Sequence, residues 1–215
     1  MHMNFLHGIV GYLKDSSIVT YCYNTGAITS QREYAGGIVG YDGTNDVDYS
    51  VGYCYNTGTI KGTSCVGGIV GAAWGGASKT VAIYYVYNTG KIINTTNRFN
   101  GGILGATYYD CVGEKVDTAN VVKYGYSIGE ITSSTGEVNQ IVSGYATCTN
   151  MYYISGRTNT SGYGTAKSTN LFKAGLSNTS SVLYLLNSVN TGTWTIDSAY
   201  NSRLCNFGLA IKLKK

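Results

Sequence analysis

One ten-residue phrase recurs four times in register, and it constrains the fold more than any other feature of the chain. Its consensus is Val/Ile-x-Tyr-x-Tyr-Asn/Ser-x-Gly-x-Ile, and the copies occupy residues 19–28, 51–60, 83–92 and 122–131. The steps between their glycines, at positions 26, 58, 90 and 129, are 32, 32 and 39 residues. Self-similarity at a period of this size indicates a solenoid, a propeller or an array of repeats.

A second phrase, Gly-Gly-Ile-Val-Gly, precedes each copy of the first. It occupies residues 8–11 (without its first glycine), 36–40, 67–71 and 101–105, with a degenerate copy at 140–144. Both phrases are short, apolar and bounded by glycine or Asn-x-Gly, which predicts strands of about four to six residues closed by turns. The spacing predicts a fixed pair of strands per repeat, joined by loops of variable length.

Period-two alternation within the tyrosine phrase places Val19, Tyr21 and Tyr23 on one face and Thr20 and Cys22 on the other. We expect the valine end of the first face to point into the core. Asn-x-Gly is typical of a turn, because both residues tolerate the left-handed region. In stacked coils the asparagines would form an amide ladder, and the isoleucine that follows would re-enter the core.

These patterns predict an all-β chain that folds as a parallel β-helix of about five coils over residues 1–164. The repeats weaken after about residue 135, and residues 165–215 differ from them. Serine starts followed by apolar clusters at 168–175 and 180–187 predict one or two short helices. We expect this C-terminal segment to cap the last coil, which would otherwise expose an unpaired edge.

Composition excludes several classes of protein. Only 12% of the residues are charged while 13% are aromatic, which excludes a disordered chain. The net charge of +4 comes without a basic stripe, so nucleic acid is not an expected partner. No apolar run approaches 18 residues, so no membrane span is expected. The first residues do not resemble a signal peptide, so an exported protein would be represented here by a mature segment or fragment.

Six cysteines occur without a C-x-x-C pair, at positions 22, 54, 65, 111, 148 and 205. Cys22 and Cys54 share a repeat position with Val86 and Gly125, which indicates a packing slot for a small side chain. We therefore expect buried free thiols, although an even number of cysteines leaves a disulfide possible.

Ionisable side chains give little support for catalysis. The two histidines, His2 and His7, lie at the start, so neither a zinc-peptidase motif nor a histidine-dependent triad is expected. Asp42, Asp46 and Asp48 share a glycine-containing loop, where calcium binding or lyase chemistry is conceivable. A solvated loop is the preferred interpretation, and we predict no catalytic, cofactor or metal site.

The tyrosine columns are the candidate contact residues. Tyr21, Tyr53, Tyr85 and Tyr124 recur at one repeat position and could present an aromatic stripe to a glycan or a protein. The preferred interpretation is that they form cross-strand ladders that stabilise the rod.

The paired phrases resemble the GLUG repeat family of bacterial cell-surface proteins. Residues 36–40 with Cys54-Tyr-Asn-Thr-Gly58, and 8–11 with Cys22-Tyr-Asn-Thr-Gly26, are similar to its alternating phrases. The third copy has Val86 in place of cysteine, and the fourth reads Gly125-Tyr-Ser-Ile-Gly129. The resemblance implies a right-handed parallel β-helix on a large secreted or surface-anchored protein. Such repeats accompany adhesins and some IgA-cleaving metallopeptidases, and are not known to carry catalysis themselves.

The leading hypothesis is therefore a non-enzymatic structural or adhesive module of a bacterial surface or secreted protein, located outside the cell. Its expected partners are glycans or host and cell-surface proteins, with self-association through the solenoid ends as a further possibility. Two alternatives stay open: a carbohydrate-active β-helix that binds or cleaves polysaccharide, and a self-assembling filament subunit.

Overall fold

The chain is wound into parallel coils, as the repeats predict. The computed structural model describes residues 5–31, 33–44, 50–74, 81–96, 99–107, 120–135, 137–188, 193–196 and 211–213. Each coil contributes strands to faces that we label A to D in chain order, and strands of successive coils pair in parallel on every face. The fold is an all-β parallel β-helix, which confirms the prediction.

Faces A and B are built by the Gly-Gly-Ile-Val-Gly phrases. Face A comprises β1 (Phe5–His7), β6 (Tyr34–Gly36), β11 (Val66–Gly67) and β16 (Asn100–Gly101). Face B comprises β2 (Val10–Asp15), β7 (Val39–Thr44), β12 (Val70–Ala73) and β17 (Leu104–Thr107). A bridge between Leu104 and Val142 continues face B into the fifth coil.

Faces C and D are built by the tyrosine phrases. Face C comprises β3 (Val19–Thr20), β4 (Tyr23–Asn24), β8 (Val51–Gly52), β9 (Tyr55–Asn56), β13 (Ala82–Tyr84), β14 (Tyr87–Asn88), β18 (Val121–Ser127), β20 (Thr147–Ile154) and β21 (Thr165–Lys167). Face D comprises β5 (Ile28–Thr29), β10 (Ile60–Gly62), β15 (Ile92–Asn94) and β19 (Ile131–Ser133).

Equivalent residues of successive coils stack in columns, because the strands pair in register. Ile28, Ile60, Ile92 and Ile131 are aligned on face D, as the repeats predict, and form a separate apolar cluster with Ala35 and Val66. The main core lies between faces B and C. Its members include the aligned column Val19, Val51, Ile83 and Val122, together with Ile38, Ile69 and Ile103 of the other phrase.

Each predicted strand contains a corner, so a coil has more and shorter strands than the repeats predict. In the Gly-Gly-Ile-Val-Gly phrase, face A ends at Gly36 and face B begins at Val39. A Cβ atom on Gly36 would lie 1.9 Å from the carbonyl oxygen of Val39, so this corner requires glycine. The tyrosine phrase turns at its first tyrosine, which separates β3 from β4 and β8 from β9.

The asparagines form the predicted amide ladder. Asn24 Nδ2 donates to Asn56 Oδ1 at 2.7 Å, and Asn56 Nδ2 donates to Asn88 Oδ1 at 2.8 Å. Each asparagine also donates to the carbonyl of the glycine two residues on and accepts from that glycine's N–H. A single side chain therefore closes the turn of its own coil and bonds the neighbouring coil.

The ladder explains why the two phrases occur together. The ideal Cβ position of Gly37 lies 2.8 Å from Asn56 Cγ, and that of Gly68 lies 2.5 Å from Asn88 Cγ. The second glycine of one phrase thus leaves the space into which the asparagine of the other phrase packs. Ser127 takes the asparagine position in the fourth coil. There Arg157 Nη1 donates to the carbonyl of Gly129 at 2.5 Å, which replaces the missing amide donor.

The segment 155–164 closes the C-terminal end of the coils. Thr160 N–H donates to the Val138 carbonyl at 2.7 Å, Gln140 N–H donates to Asn159 Oδ1 at 3.0 Å, and the Tyr163 hydroxyl accepts from the Ala146 N–H at 3.4 Å. The Tyr163 side chain packs against the main core. The last coil is therefore covered by a loop of mostly polar residues. The loop forms hydrogen bonds with the backbone of that coil, and the ring of Tyr163 packs on its core.

The C-terminal segment contains the expected short helices, α1 (Thr169–Lys173) and α2 (Val182–Asn187), and an antiparallel pair, β22 (Trp194–Ile196) and β23 (Ile211–Leu213). Ser181 caps α2 by accepting from the Tyr184 N–H at 3.0 Å. Phe172 of α1 and Leu186 of α2 belong to one apolar cluster with Tyr87 and Tyr126 of face C. The two helices therefore lie beside the coils. The division into two domains at residue 164 stays a prediction.

We predict that Asn56→Ala lowers the free energy of unfolding by about 2–4 kcal/mol, because four hydrogen bonds of roughly 1 kcal/mol each are lost from a buried site. Asn24→Ala is the matched control: it removes a ladder residue at the half-exposed end, and we expect less than half the loss. Chemical denaturation of the three proteins measures both values. Equal losses for the two variants would contradict a ladder that depends on its inner rung.

Candidate functional site

The four predicted contact tyrosines form one column on the outside of the helix. The ring centroids of Tyr21 and Tyr53 are 4.8 Å apart, those of Tyr53 and Tyr85 are 4.8 Å apart, and those of Tyr85 and Tyr124 are 5.1 Å apart. The ring planes differ by 9°, 17° and 25°, so the rings are stacked. We call this set the outer tyrosine column.

Every member of the outer tyrosine column has a left-handed backbone. The φ angles of Tyr21, Tyr53, Tyr85 and Tyr124 are 55°, 56°, 55° and 61°. This conformation costs a bulky residue roughly 1–2 kcal/mol. Ring stacking contributes about 0.5–1.5 kcal/mol per pair, and each of the first three tyrosine N–H groups donates to the next coil, so the corner is held by its neighbours.

The left-handed tyrosine corrects the predicted alternation. Because the chain turns at Tyr21, Val19 and Tyr21 do not share a face. The residue after the tyrosine points inward, and Cys54 and Val86 lie in the main core. At the fourth coil Gly125 occupies this slot and Met151 of the next coil is aligned with it, with its Cε 3.2 Å from the ideal Cβ position. The repeats correctly predicted a packing position for a small side chain after the tyrosine. They wrongly placed that position on the face opposite the valine, because Cys54 and Val86 share the main core with it.

The stacking limits what the outer tyrosine column can bind. Both faces of Tyr53 and Tyr85 are covered by neighbouring rings. Tyr21 is 68% exposed, and no ring of the described residues stacks on its outer face. Within this column a sugar ring can therefore stack face to face on Tyr21, and on neither Tyr53 nor Tyr85.

The second tyrosine of each phrase forms an inner tyrosine column, and the C-terminal segment covers part of it. The rings of Tyr23, Tyr55, Tyr87 and Tyr126 are stacked at centroid distances of 5.2, 4.8 and 5.1 Å. The ring centroid of Trp194 lies 6.2 Å from that of Tyr87 and 6.0 Å from that of Tyr126. Tyr126 is therefore buried, while Tyr23 is 56% exposed.

Asn187 fixes Trp194 above this column. Its Nδ2 donates to the Trp194 carbonyl at 2.9 Å, and its Oδ1 accepts from the Trp194 N–H at 3.0 Å. Trp194 lies outside the repeated phrases. No pattern in the chain indicated that it would meet the tyrosines.

Asp42 points into the protein, which corrects its assignment to a solvated loop. It is aligned with Leu13 and Ala73, two residues of the main core, and is completely buried. Its Oδ1 accepts from the Thr44 N–H at 3.1 Å and the Thr44 hydroxyl at 2.7 Å. Its Oδ2 lies 2.5 Å from Ser50 Oγ, which itself lies 3.1 Å from the Ala82 carbonyl oxygen.

Burial raises the pKa of Asp42, and the hydrogen bonds from Ser50 and Thr44 oppose that rise only in part. A protonated carboxyl fits the geometry, because it can donate to Ser50, whose hydroxyl then donates to Ala82. Asp42 is therefore inaccessible to a substrate or a cation. The other two acids of the predicted loop, Asp46 and Asp48, lie outside the described residues.

Metal and histidine chemistry receive no support from the residues that can be described. Within them, no group of three or more histidine, cysteine, aspartate or glutamate side chains could hold a metal ion. Partial burial lowers the pKa of His7, which favours the neutral imidazole. His2 lies outside the described residues. No helix in the described part of the chain is long and apolar enough to cross a membrane.

The cysteines are partly as predicted. Cys22, Cys54 and Cys148 are free, and burial raises the pKa of Cys54 and of Cys148 to about 12, so both are unreactive thiols. Cys65 is disulfide-bonded, which corrects the expectation of free thiols at this position. Cys111 and Cys205 lie outside the described residues.

Comparison with known proteins shows a likeness of fold. No family model matches the sequence, and no curated protein is similar to it. A solved structure, described as a putative immunoglobulin A1 protease from Bacteroides ovatus, superimposes with a TM-score of 0.55 at 19% sequence identity. The alignment covers 99% of this chain and 64% of that one, so the chain spans about two thirds of the neighbour's length.

We predict that Asp42→Asn flattens the pH dependence of stability. A carboxyl whose pKa is raised by folding stabilises the protein fully below its ordinary pKa of about 4, and this contribution is lost as the pH rises through the folded-state value. Wild-type stability should therefore fall as the pH rises above about 4. Asparagine can keep the bonds to Thr44 and Ser50 without a charge, so the variant should be more stable at pH 7 by on the order of 1 kcal/mol.

Urea denaturation between pH 4 and pH 8 measures the effect. Asp15→Asn is the matched control, because Asp15 is exposed and its change should leave the slope as it is in the wild type. Parallel pH profiles for the wild type and Asp42→Asn would show that Asp42 does not titrate with folding.

Proposed function

We propose that the chain is a non-enzymatic β-solenoid module of an exported bacterial protein, which serves as a rigid spacer and presents the outer tyrosine column to a binding partner. The proposal rests on the contacts that the repeated side chains make. The recurring asparagines, glycines, isoleucines and tyrosines bond or stack on their equivalents in the next coil, so the repetition serves coil-to-coil cohesion.

An extracellular location is supported by two observations. Cys65 is disulfide-bonded, and disulfides persist in oxidising compartments. The paired phrases resemble GLUG repeats of bacterial surface proteins.

The adhesive part of the proposal rests on the outer tyrosine column. Its rings are fixed by stacking before any ligand arrives, so binding would lose little side-chain entropy. The exposed ring of Tyr21 suits a ligand with an apolar face that can stack on an aromatic ring, such as a sugar. Glycans and surface proteins are therefore the partners that we propose.

Cleavage assays on the purified chain distinguish the enzymatic alternative from the non-enzymatic proposal. A carbohydrate-active β-helix would have to use acids other than Asp42, because Asp42 is buried and hydrogen-bonded within the core. We expect no cleavage of immunoglobulin A1 or of acidic polysaccharides by the purified chain. Product formation in either assay would overturn the non-enzymatic proposal.

We expect the chain to bind at least one glycan or matrix protein from an array, and Tyr21→Ser to weaken that binding at least tenfold, because Tyr21 carries the open face of the column. Tyr23→Ser is the matched control: it removes a tyrosine of the inner column that is 56% exposed, and binding should stay unchanged. Failure to bind any member of the array, with the fold intact by circular dichroism, would remove the adhesive role and leave the spacer.

A further inference from the structure

Cys22 and Cys54 occupy the same repeat position in the first and second coils, and both side chains pack in the main core. The strands that begin at the next residue pair in register, with Tyr23 opposite Tyr55. The Tyr55 N–H donates to the Cys22 carbonyl at 3.1 Å, so the two coils are hydrogen-bonded at the cysteines themselves. Cys54 is a fully buried member of the main core, and Cys22 is packed against it.

The two thiols are neighbours within this core. Cys54 Sγ lies 3.1 Å from the carbonyl oxygen of Gly52 in its own coil and 3.8 Å from that of Val19 in the first coil, so it is directed towards the coil that holds Cys22. Cys22 Sγ lies 3.3 Å from the carbonyl oxygen of Thr20, the residue aligned with Gly52. Burial raises the pKa of the Cys54 thiol to about 12, the backbone of Cys22 opposes this rise, and the thiol of Cys22 adds to it.

The spacing between coils suits a disulfide. Strands paired in a sheet lie about 4.8 Å apart, and the Cα atoms of disulfide-bonded cysteines usually lie about 4.4–6.8 Å apart. The bond therefore requires rotation of two side chains and no large movement of the coils. Among the three cysteines that the structure describes as free, only these two are aligned with each other, since Cys148 is aligned with Val122.

We propose that Cys22 and Cys54 are a disulfide-forming pair, which an oxidant converts into a covalent bond between the first coil and the second. The oxidant is a disulfide of low molecular weight or a protein dithiol–disulfide oxidase. The disulfide at Cys65 shows that the chain is compatible with conditions under which thiols are oxidised. This pair gives the stacked coils a covalent bond in addition to their hydrogen bonds.

The reaction consists of two thiol–disulfide exchanges. Cys22 is the less buried thiol, so the oxidant reaches it first. Its thiolate attacks one sulfur of the reagent disulfide, which forms a mixed disulfide and releases one reagent thiolate. Cys54 then loses its proton and attacks Cys22 Sγ, which releases the second reagent thiolate. The two protein thiols lose two electrons, the reagent disulfide takes up both, and the two protons pass to the released thiolates.

The second exchange is the slow one. Cys54 does not react with reagents in solvent, and the only disulfide sulfur within its reach is that of Cys22. Its raised pKa of about 12 means that few Cys54 thiols are ionised at neutral pH. The rate of the second exchange should therefore rise about tenfold for each unit of pH between pH 7 and pH 9, since the thiolate fraction rises by that factor below the pKa.

Incubation of the reduced, folded chain with an excess of oxidised glutathione tests the proposal. Samples are taken over time, unreacted thiols are blocked with N-ethylmaleimide in denaturant, and the tryptic peptides are identified by mass spectrometry without reductant. The expected product is peptide 15–32 linked to peptide 33–61, each of which contains one cysteine. A glutathione adduct of peptide 15–32 should precede it and should convert to it faster as the pH rises.

Cys54→Val is the matched variant, because valine occupies this position in the third coil as Val86. It should keep the fold, retain the glutathione adduct at Cys22 and give no linked peptides. Cys148 is the internal control, because it is aligned with Val122 and should be recovered with its thiol blocked by N-ethylmaleimide. The linked wild type should melt about 5–10 °C above the reduced wild type, because the bond restricts the unfolded chain. The variant should lack the part of this shift that the bond causes.

Three results would overturn the proposal. One is a glutathione adduct of Cys22 that persists in the wild type without linked peptides, and another is recovery of both cysteines as blocked thiols. The third is linkage of either cysteine to a different cysteine of the chain. None of these outcomes depends on whether the outer tyrosine column binds a glycan, so the proposed function is tested separately.

Discussion

The structure depends on contacts between residues at equivalent positions of successive coils. The asparagine ladder shows this dependence most clearly, because one amide closes its own turn and bonds the coil above. This double role requires a glycine beneath the amide, in a phrase roughly twenty residues earlier in the chain. The two repeated phrases are therefore one structural unit, and a change to either affects the packing of the other.

Contacts between equivalent residues also explain how the tyrosines are held at positive φ angles. A tyrosine with a positive φ angle is unfavourable alone, but in a column each ring is supported by an identical ring, and the inner rings are supported on both sides. The corner also turns the following residue inward, which is why a small or apolar side chain recurs there. The outer tyrosine column is thus both a structural support and the most regular surface feature of the molecule.

Sequence reasoning identified what depends on repetition and missed what depends on single residues. The period predicted the parallel β-helix, the isoleucine column and the asparagine ladder, because each requires only that equivalent positions align. It placed Val19, Tyr21 and Tyr23 on one face because period two assumes an uninterrupted strand, and nothing in the phrase shows that a tyrosine adopts the left-handed region. Asp42 was assigned to a solvated loop because aspartate rarely occupies a core column, and Trp194 meets the inner tyrosine column through contacts distant in sequence.

The replacement of the ladder amide at the fourth coil has a consequence for how such chains evolve. Asn24, Asn56 and Asn88 are spaced by 32 residues, and each closes its own turn and bonds a neighbouring asparagine, so the inner units are interchangeable. Ser127 and Arg157 mark the place where this equivalence stops. Duplication or loss of an inner unit by recombination would thus lengthen or shorten the rod by one coil while both ends kept their own contacts. Length in this architecture is a heritable variable that is independent of whatever the ends and the outer surface do.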